Sequence, residues 1–127
     1  MAELKKILYV EDEPDIQMIA RVALESVGGF ELLVCSSGDE AIEKGASFTP
    51  DLLLLDVMMP NMDGPTTLAE LRKIPQLATT PVMFMTAKVQ PQEVKYLKSL
   101  NVMEVIAKPF DPMGLATNIR EIWSKMA

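Results

Sequence analysis

Four positions in this chain of 127 residues place a reactive side chain directly after a short apolar run. Glu11-Asp12 follows Ile7-Leu8-Tyr9-Val10, Asp56 follows four leucines, Thr86 follows Val82-Met83-Phe84-Met85, and Lys108 follows the stretch from Val102 to Ala107. Three carboxylates, a hydroxyl and an ammonium, if they converge, can carry out phosphoryl transfer. Asp56 is the nucleophile, a bound cation and Lys108 neutralise the phosphoryl oxygens, and the Thr86 hydroxyl bonds one of them. Carboxylates that crowd together raise one another's pKa unless a cation lies among them. Their oxygens suit Mg²⁺, which keeps several waters and is completed by phosphate oxygens of a substrate. Singly, each residue is ordinary: an acid after a strand is usually a helix cap, a threonine a turn residue, a lysine a surface cation. Their convergence is what would make a site, and that depends on the elements that carry them.

Leu52-Leu53-Leu54-Leu55 is too short for a helix and reads as a strand buried on both faces, as in the centre of a parallel sheet. Ile7–Val10 is strand one. Pro14 opens a helix whose apolar face is Ile16, Ile19, Ala20, Ala23, Leu24 and Val27, stopped by Gly28-Gly29. Strand two runs from Phe30 to Cys35, and Ser37-Gly38-Asp39-Glu40 has the spacing of a capping box for a helix fading near Gly45. Helix three, after Gly64, carries Leu68, Leu71 and Ile74 and ends at Pro75; helix four runs from about Pro91 to Leu100 with Val94, Leu97 and Leu100 inward. Strand five lies within Val102–Ala107, and Asp111 with Pro112 behind it caps helix five, lined by Leu115, Ile119 and Ile122. Five strands alternating with five helices give a doubly wound α/β fold, flavodoxin-like, with a parallel sheet in the order 2-1-3-4-5. Right-handed crossovers bring all the strands' carboxyl ends to one edge. Strands one and three are then neighbours at the topological switch point, and Asp12 meets Asp56.

Composition narrows the function classes. A net charge of −6 argues against direct nucleic-acid binding, which needs clustered Lys and Arg. No apolar run reaches membrane-spanning length, so no membrane insertion is expected. One cysteine forms no internal disulfide, which suits a reducing cytoplasm, and the absence of histidine removes any His/Cys metal site. Residues 1–127 read as one domain with no output domain attached.

The motifs Glu11-Asp12, Asp56-x-x-Met59-Pro60-x-Met62-Asp63-Gly64, Thr86-Ala87 and Lys108-Pro109-Phe110 resemble the receiver domain of two-component response regulators. The resemblance spans essentially the whole chain and is nearest the stand-alone chemotaxis type. It implies that Asp56 takes a phosphoryl group from a sensor histidine kinase or a histidine phosphotransfer protein. It also implies that Asp12, Asp56 and the backbone carbonyl of Met58 bind Mg²⁺ directly, while Glu11 acts through water. Lys108 would contact the phosphoryl group, and the Lys108–Pro109 peptide would be cis. Such a domain is no enzyme beyond its own phosphorylation and dephosphorylation, and its active state binds a downstream protein that the sequence does not name. By the same resemblance, Met58 and Lys88 border the path of the hydrolytic water. One position departs from the pattern: Val105 stands where receivers commonly carry an aromatic ring.

Three rival readings are weaker. A Mg²⁺-dependent aspartyl phosphatase needs a second Asp two residues after the nucleophile, where this chain has Met58. A nucleotide-binding module needs a phosphate cradle after strand one, and Glu11-Asp12-Glu13 would repel phosphate there. A pseudo-receiver scaffold would have no use for the full acidic set.

Overall fold

The structure, a computed structural model, describes residues 3–125. Strands β1 (Lys6–Val10), β2 (Glu31–Cys35), β3 (Leu52–Asp56), β4 (Val82–Thr86) and β5 (Glu104–Ala107) form one parallel sheet in the order β2-β1-β3-β4-β5. The connections carry α1 (Pro14–Arg21), α2 (Gly38–Phe48), α3 (Gly64–Arg72) and α4 (Pro91–Lys98), and α5 (Leu115–Lys125) follows β5. Both the fold and the strand order match the expectation from sequence.

Strand side chains alternate between two cores because successive residues point to opposite faces. Ile7, Tyr9, Leu52, Leu54, Met83, Met85 and Ile106 pack with Ala20, Ala23, Leu24, Leu115, Ala116 and Ile119 on the side of α1 and α5. Leu8, Val10, Leu53, Leu55, Val82 and Phe84 pack with Ala41, Leu68, Leu71, Leu77 and Leu97 on the side of α2, α3 and α4. Every residue of β3 and β4 is buried, so these two strands hold their terminal side chains in a rigid frame.

Helix details differ from the periodicity in instructive ways. The first helix does not keep one register: after Arg21 the segment Val22–Val27 winds as a π-helix, with Gly28 N–H donating to the Ala23 carbonyl. The wider winding leaves Val27 out in solvent while Ala23 and Leu24 stay buried; in α1 itself Ala20 is buried and Ile19 is exposed. Helix α2 runs past Gly45 to Phe48, because that glycine faces inward, where a Cβ would meet Leu77 Cδ1 and Leu8 Cδ2, each at 3.2 Å. Ile74 and Leu100 fall just outside α3 and α4, and β5 starts at Glu104, not Val102. Asp111 is not the N-cap of α5. It caps a preceding turn, accepting from Met113 N–H at 3.1 Å, and the regular helix begins at Leu115.

Candidate functional site

Backbone pairing extends slightly past the strands and lines up their polar ends. Glu11 N–H donates to the Cys35 carbonyl at 3.0 Å, Val57 N–H to Met85 at 3.0 Å, and Lys108 N–H to Thr86 at 2.9 Å. Glu11, Asp56 and Thr86 are almost entirely buried, so these polar groups depend on one another and not on bulk water.

The three carboxylates and Lys108 meet at one edge of the sheet. One carboxylate oxygen from each of Glu11, Asp12 and Asp56 lies within 4.8 Å of the others. Lys108 reaches in from the end of β5, its Nζ 2.9 Å from Glu11 Oε1 and 3.1 Å from Asp56 Oδ1. Glu11 has further donors: the Tyr9 hydroxyl at 3.3 Å to Oε1, and Glu13 N–H at 3.3 Å to Oε2. Gln17 steadies the backbone at this corner, donating to the Glu11 carbonyl at 2.5 Å and to Ser36 Oγ at 3.1 Å.

The electrostatics follow from burial. Asp56 is pushed up to about 6, first because it is desolvated and then because Glu11 is near, with Lys108 opposing both. Desolvation would lower the Lys108 ammonium, but its bond to Glu11 and the charge of Asp56 outweigh this and hold it above its ordinary value. The Tyr9 hydroxyl is kept well above its usual range, mainly by burial and then by Glu11, and so remains a donor.

The donor set fits a hard divalent cation. It is all oxygen and strongly anionic, and Asp12 Oδ1 is buried with no hydrogen-bond partner. A buried carboxylate oxygen left unpaired is costly, and a cation among the three acids would satisfy it. Asp12 and Asp56, with Glu11 beside them, are the residues able to hold Mg²⁺ here.

The loop after β3 is held close under Asp56. Gly64 N–H donates to the Val57 carbonyl at 2.9 Å, and a Cβ on Gly64 would come within 2.5 Å of the Asp56 carbonyl and 2.9 Å of Val57 Cα. Only glycine permits that approach. Asp63 then caps α3, accepting from Thr66 N–H at 2.9 Å, and Asn61 makes the turn with a left-handed φ of 69°. Met58 lies in this loop with its side chain 57% exposed.

Across from it, the Thr86 hydroxyl accepts from Lys88 N–H at 3.0 Å and keeps its own proton to donate. Met58, Thr86, Lys88 and Tyr96 share the wall of a cavity of about 300 Å³ between the β3 loop and α4. The Lys108–Pro109 peptide is cis. Val105 is half-buried against the α2–α3–α4 core and carries no ring of its own to move. Sequence reasoning missed Tyr9 and Gln17. The i, i+2 spacing of Tyr9 and Glu11, which puts both on one face of β1, was the available signal.

Residues 7–120 match the family model described as "Response regulator receiver domain". The chain is 33% identical over 118 residues to the alkaline phosphatase synthesis transcriptional regulatory protein PhoP of Bacillus subtilis, covering 93% of this chain and 48% of that protein. It is 32% identical over 119 residues to the sensor histidine kinase TmoS of Ectopseudomonas mendocina, covering 94% of this chain and 12% of the kinase. This chain thus spans about half or less of the length of these curated relatives. Among solved structures it is similar to the Vibrio cholerae chemotaxis protein CheY4, with a TM-score of 0.85 and 26% identity, covering 94% of this chain and 99% of that one.

Proposed function

From the premise that this chain belongs to the response regulator receiver domain family, we propose that it is a phosphoacceptor whose nucleophile is Asp56. An Asp56 carboxylate oxygen forms a bond to phosphorus while the phosphorus–nitrogen bond of a donor phosphohistidine breaks. The electron pair of that bond stays on the imidazole nitrogen, which takes a proton from water. The donor class is a sensor histidine kinase or a histidine phosphotransfer protein. Mg²⁺, held by Asp12, Asp56 and the Met58 carbonyl with Glu11 acting through water, would supply neutralisation of charge at the phosphoryl oxygens. Lys108 adds a second positive charge from β5, and the Thr86 hydroxyl is free to donate to a phosphoryl oxygen. The reaction stops on the protein itself, so the domain acts as a signal carrier and not as an enzyme turning over an external substrate.

The observation that carries this reading is the meeting of Glu11, Asp12, Asp56 and Lys108 at the buried carboxyl edge of the sheet. An aspartyl phosphatase is disfavoured by Met58, which offers no acid at the second position after the nucleophile. A pseudo-receiver is disfavoured by the cost of keeping an acidic cluster buried without using it. The partner of the phosphorylated state would engage the face made by α4, β5 and α5, next to Thr86 and Lys108. The name of PhoP describes a transcriptional regulator, and control of transcription is one output open to a receiver of this kind.

Asp12→Ala tests the arrangement directly. The variant is expected to bind Mg²⁺ at least about tenfold more weakly, since one of the carboxylate ligands is lost, and to take up little phosphoryl group from a phosphorylated kinase. Wild-type Mg²⁺ affinity in that variant, measured calorimetrically, would move the metal elsewhere.

A further inference from the structure

Resting on the phosphoacceptor reading, we infer that Tyr9 is a positioning residue of the acidic site: its hydroxyl holds the Glu11 carboxylate in place so that Lys108 can leave it. Tyr9 and Glu11 are two residues apart at the end of β1 and therefore point to the same face. The Tyr9 ring is fully buried among Ile7, Ala20, Leu54 and Ile106, which fixes where its hydroxyl can go. That hydroxyl is 3.3 Å from Glu11 Oε1, the same oxygen that Lys108 Nζ approaches at 2.9 Å. A phenylalanine would fill the same space, so the O–H is what this residue adds to the packing.

Lys108 bridges Glu11 and Asp56 with its single ammonium, so it is paired with two of the three acids that could hold a divalent cation. A divalent cation held by these acids would repel that ammonium, and a phosphoryl group on Asp56 would draw it away from Glu11. Either event would remove the shortest donor contact from Glu11, a carboxylate with no exposure to water. Without Tyr9, Oε1 would have no remaining protein donor among the described residues, and only Glu13 N–H at Oε2 would hold the group. A buried charge stripped of its donors is strongly unfavourable, so Glu11 would cling to Lys108 and resist the metal. With Tyr9 present the exchange of lysine for metal costs less.

The test is Mg²⁺ binding by titration calorimetry on the full chain and Tyr9→Phe, alone and combined with Glu11→Gln. The single variant is expected to fold normally and to bind Mg²⁺ about three- to tenfold more weakly, as for loss of a hydrogen bond to a charged group at long range. In the Glu11→Gln background the same change is expected to do almost nothing, because the group it positions is no longer charged. A purely packing role would give equal losses in both backgrounds and would overturn the inference, as would unchanged affinity in Tyr9→Phe. Wild-type protein that binds no Mg²⁺ and takes no phosphoryl group from acetyl phosphate would instead overturn the reading on which the inference rests, and the inference with it.

Discussion

Asp56 is 3% exposed and has a lysine ammonium 3.1 Å away, yet its burial beside Glu11 prevails and the carboxyl is pushed up to about 6. A carboxyl whose folded value lies above its unfolded value of 3.8 stabilises the fold fully only below about pH 4. That contribution is lost as pH rises through about 6, so at neutral pH the charged carboxyl weighs against the metal-free fold. Asp56→Asn should therefore raise the melting temperature of the metal-free domain at pH 7.5, with the gain shrinking toward pH 4.5. A gain independent of pH would mean that the Asp56 charge is not the cause. Met58 and Lys88 bring a second consequence. They share the cavity wall beside Thr86, and neither brings a carboxylate or imidazole to act as a base. Decay of the aspartyl phosphate is expected to be slow for a receiver, and Met58→Asn, which frees volume and can orient a water, should accelerate it about tenfold or less. Loss of the phosphoryl group after donor removal reads this out, and identical decay in the two proteins would show that Met58 does not gate the water. The four strand-end positions were legible in the sequence because each polar residue closes an apolar run. Tyr9 was not, since a strand tyrosine looks like core bulk until its hydroxyl is seen to reach a carboxylate.

Element boundaries show where pattern and packing part company. The strands were legible because apolar runs buried on two faces have few other readings, and the leucines of β3 sit where expected. The helices were read from a strict 3.6-residue period, which the π-wound segment Val22–Val27 breaks, leaving Val27 outside the core. Gly45 looked like a helix end because glycine is a poor helix former, but it lies inside α2, where an added Cβ would crowd Leu8 and Leu77 at 3.2 Å each. Under the proposed phosphoacceptor role, the elements beside Thr86 and Lys108 are expected to respond most. A phosphoryl group adds about −1.5 to −2 charges at Asp56, drawing both side chains toward it and disturbing β4, β5 and the loop into α4. Amide shift changes on activation with beryllofluoride should concentrate in residues 88–101 and 105–107. Changes confined to α1 and α2 would assign the output to another face. With Val105 half-buried and no ring at that position, any response of β5 must travel through backbone and the Thr86 loop.

At the scale of the whole molecule, strand order turns four separated positions into one site. With β1 next to β3, Asp12 and Asp56 become neighbours across the switch point, and β4 and β5 add their terminal Thr86 and Lys108 on one side. Parallel strands and right-handed crossovers make that convergence a property of topology, which is why it could be anticipated from the order of elements. What topology did not supply was the hydrogen-bonded support beneath the site, because it depends on side-chain reach across a few ångströms. The central claim is that Asp56 accepts a phosphoryl group in a Mg²⁺-dependent reaction. Its most direct measurement is the intact mass of wild type and Asp56→Asn after incubation with acetyl phosphate, with Mg²⁺ and with the metal chelated. One added phosphoryl group is predicted, in the wild type with Mg²⁺ alone. Equal labelling of the Asn variant, or uptake that survives chelation, would contradict the account.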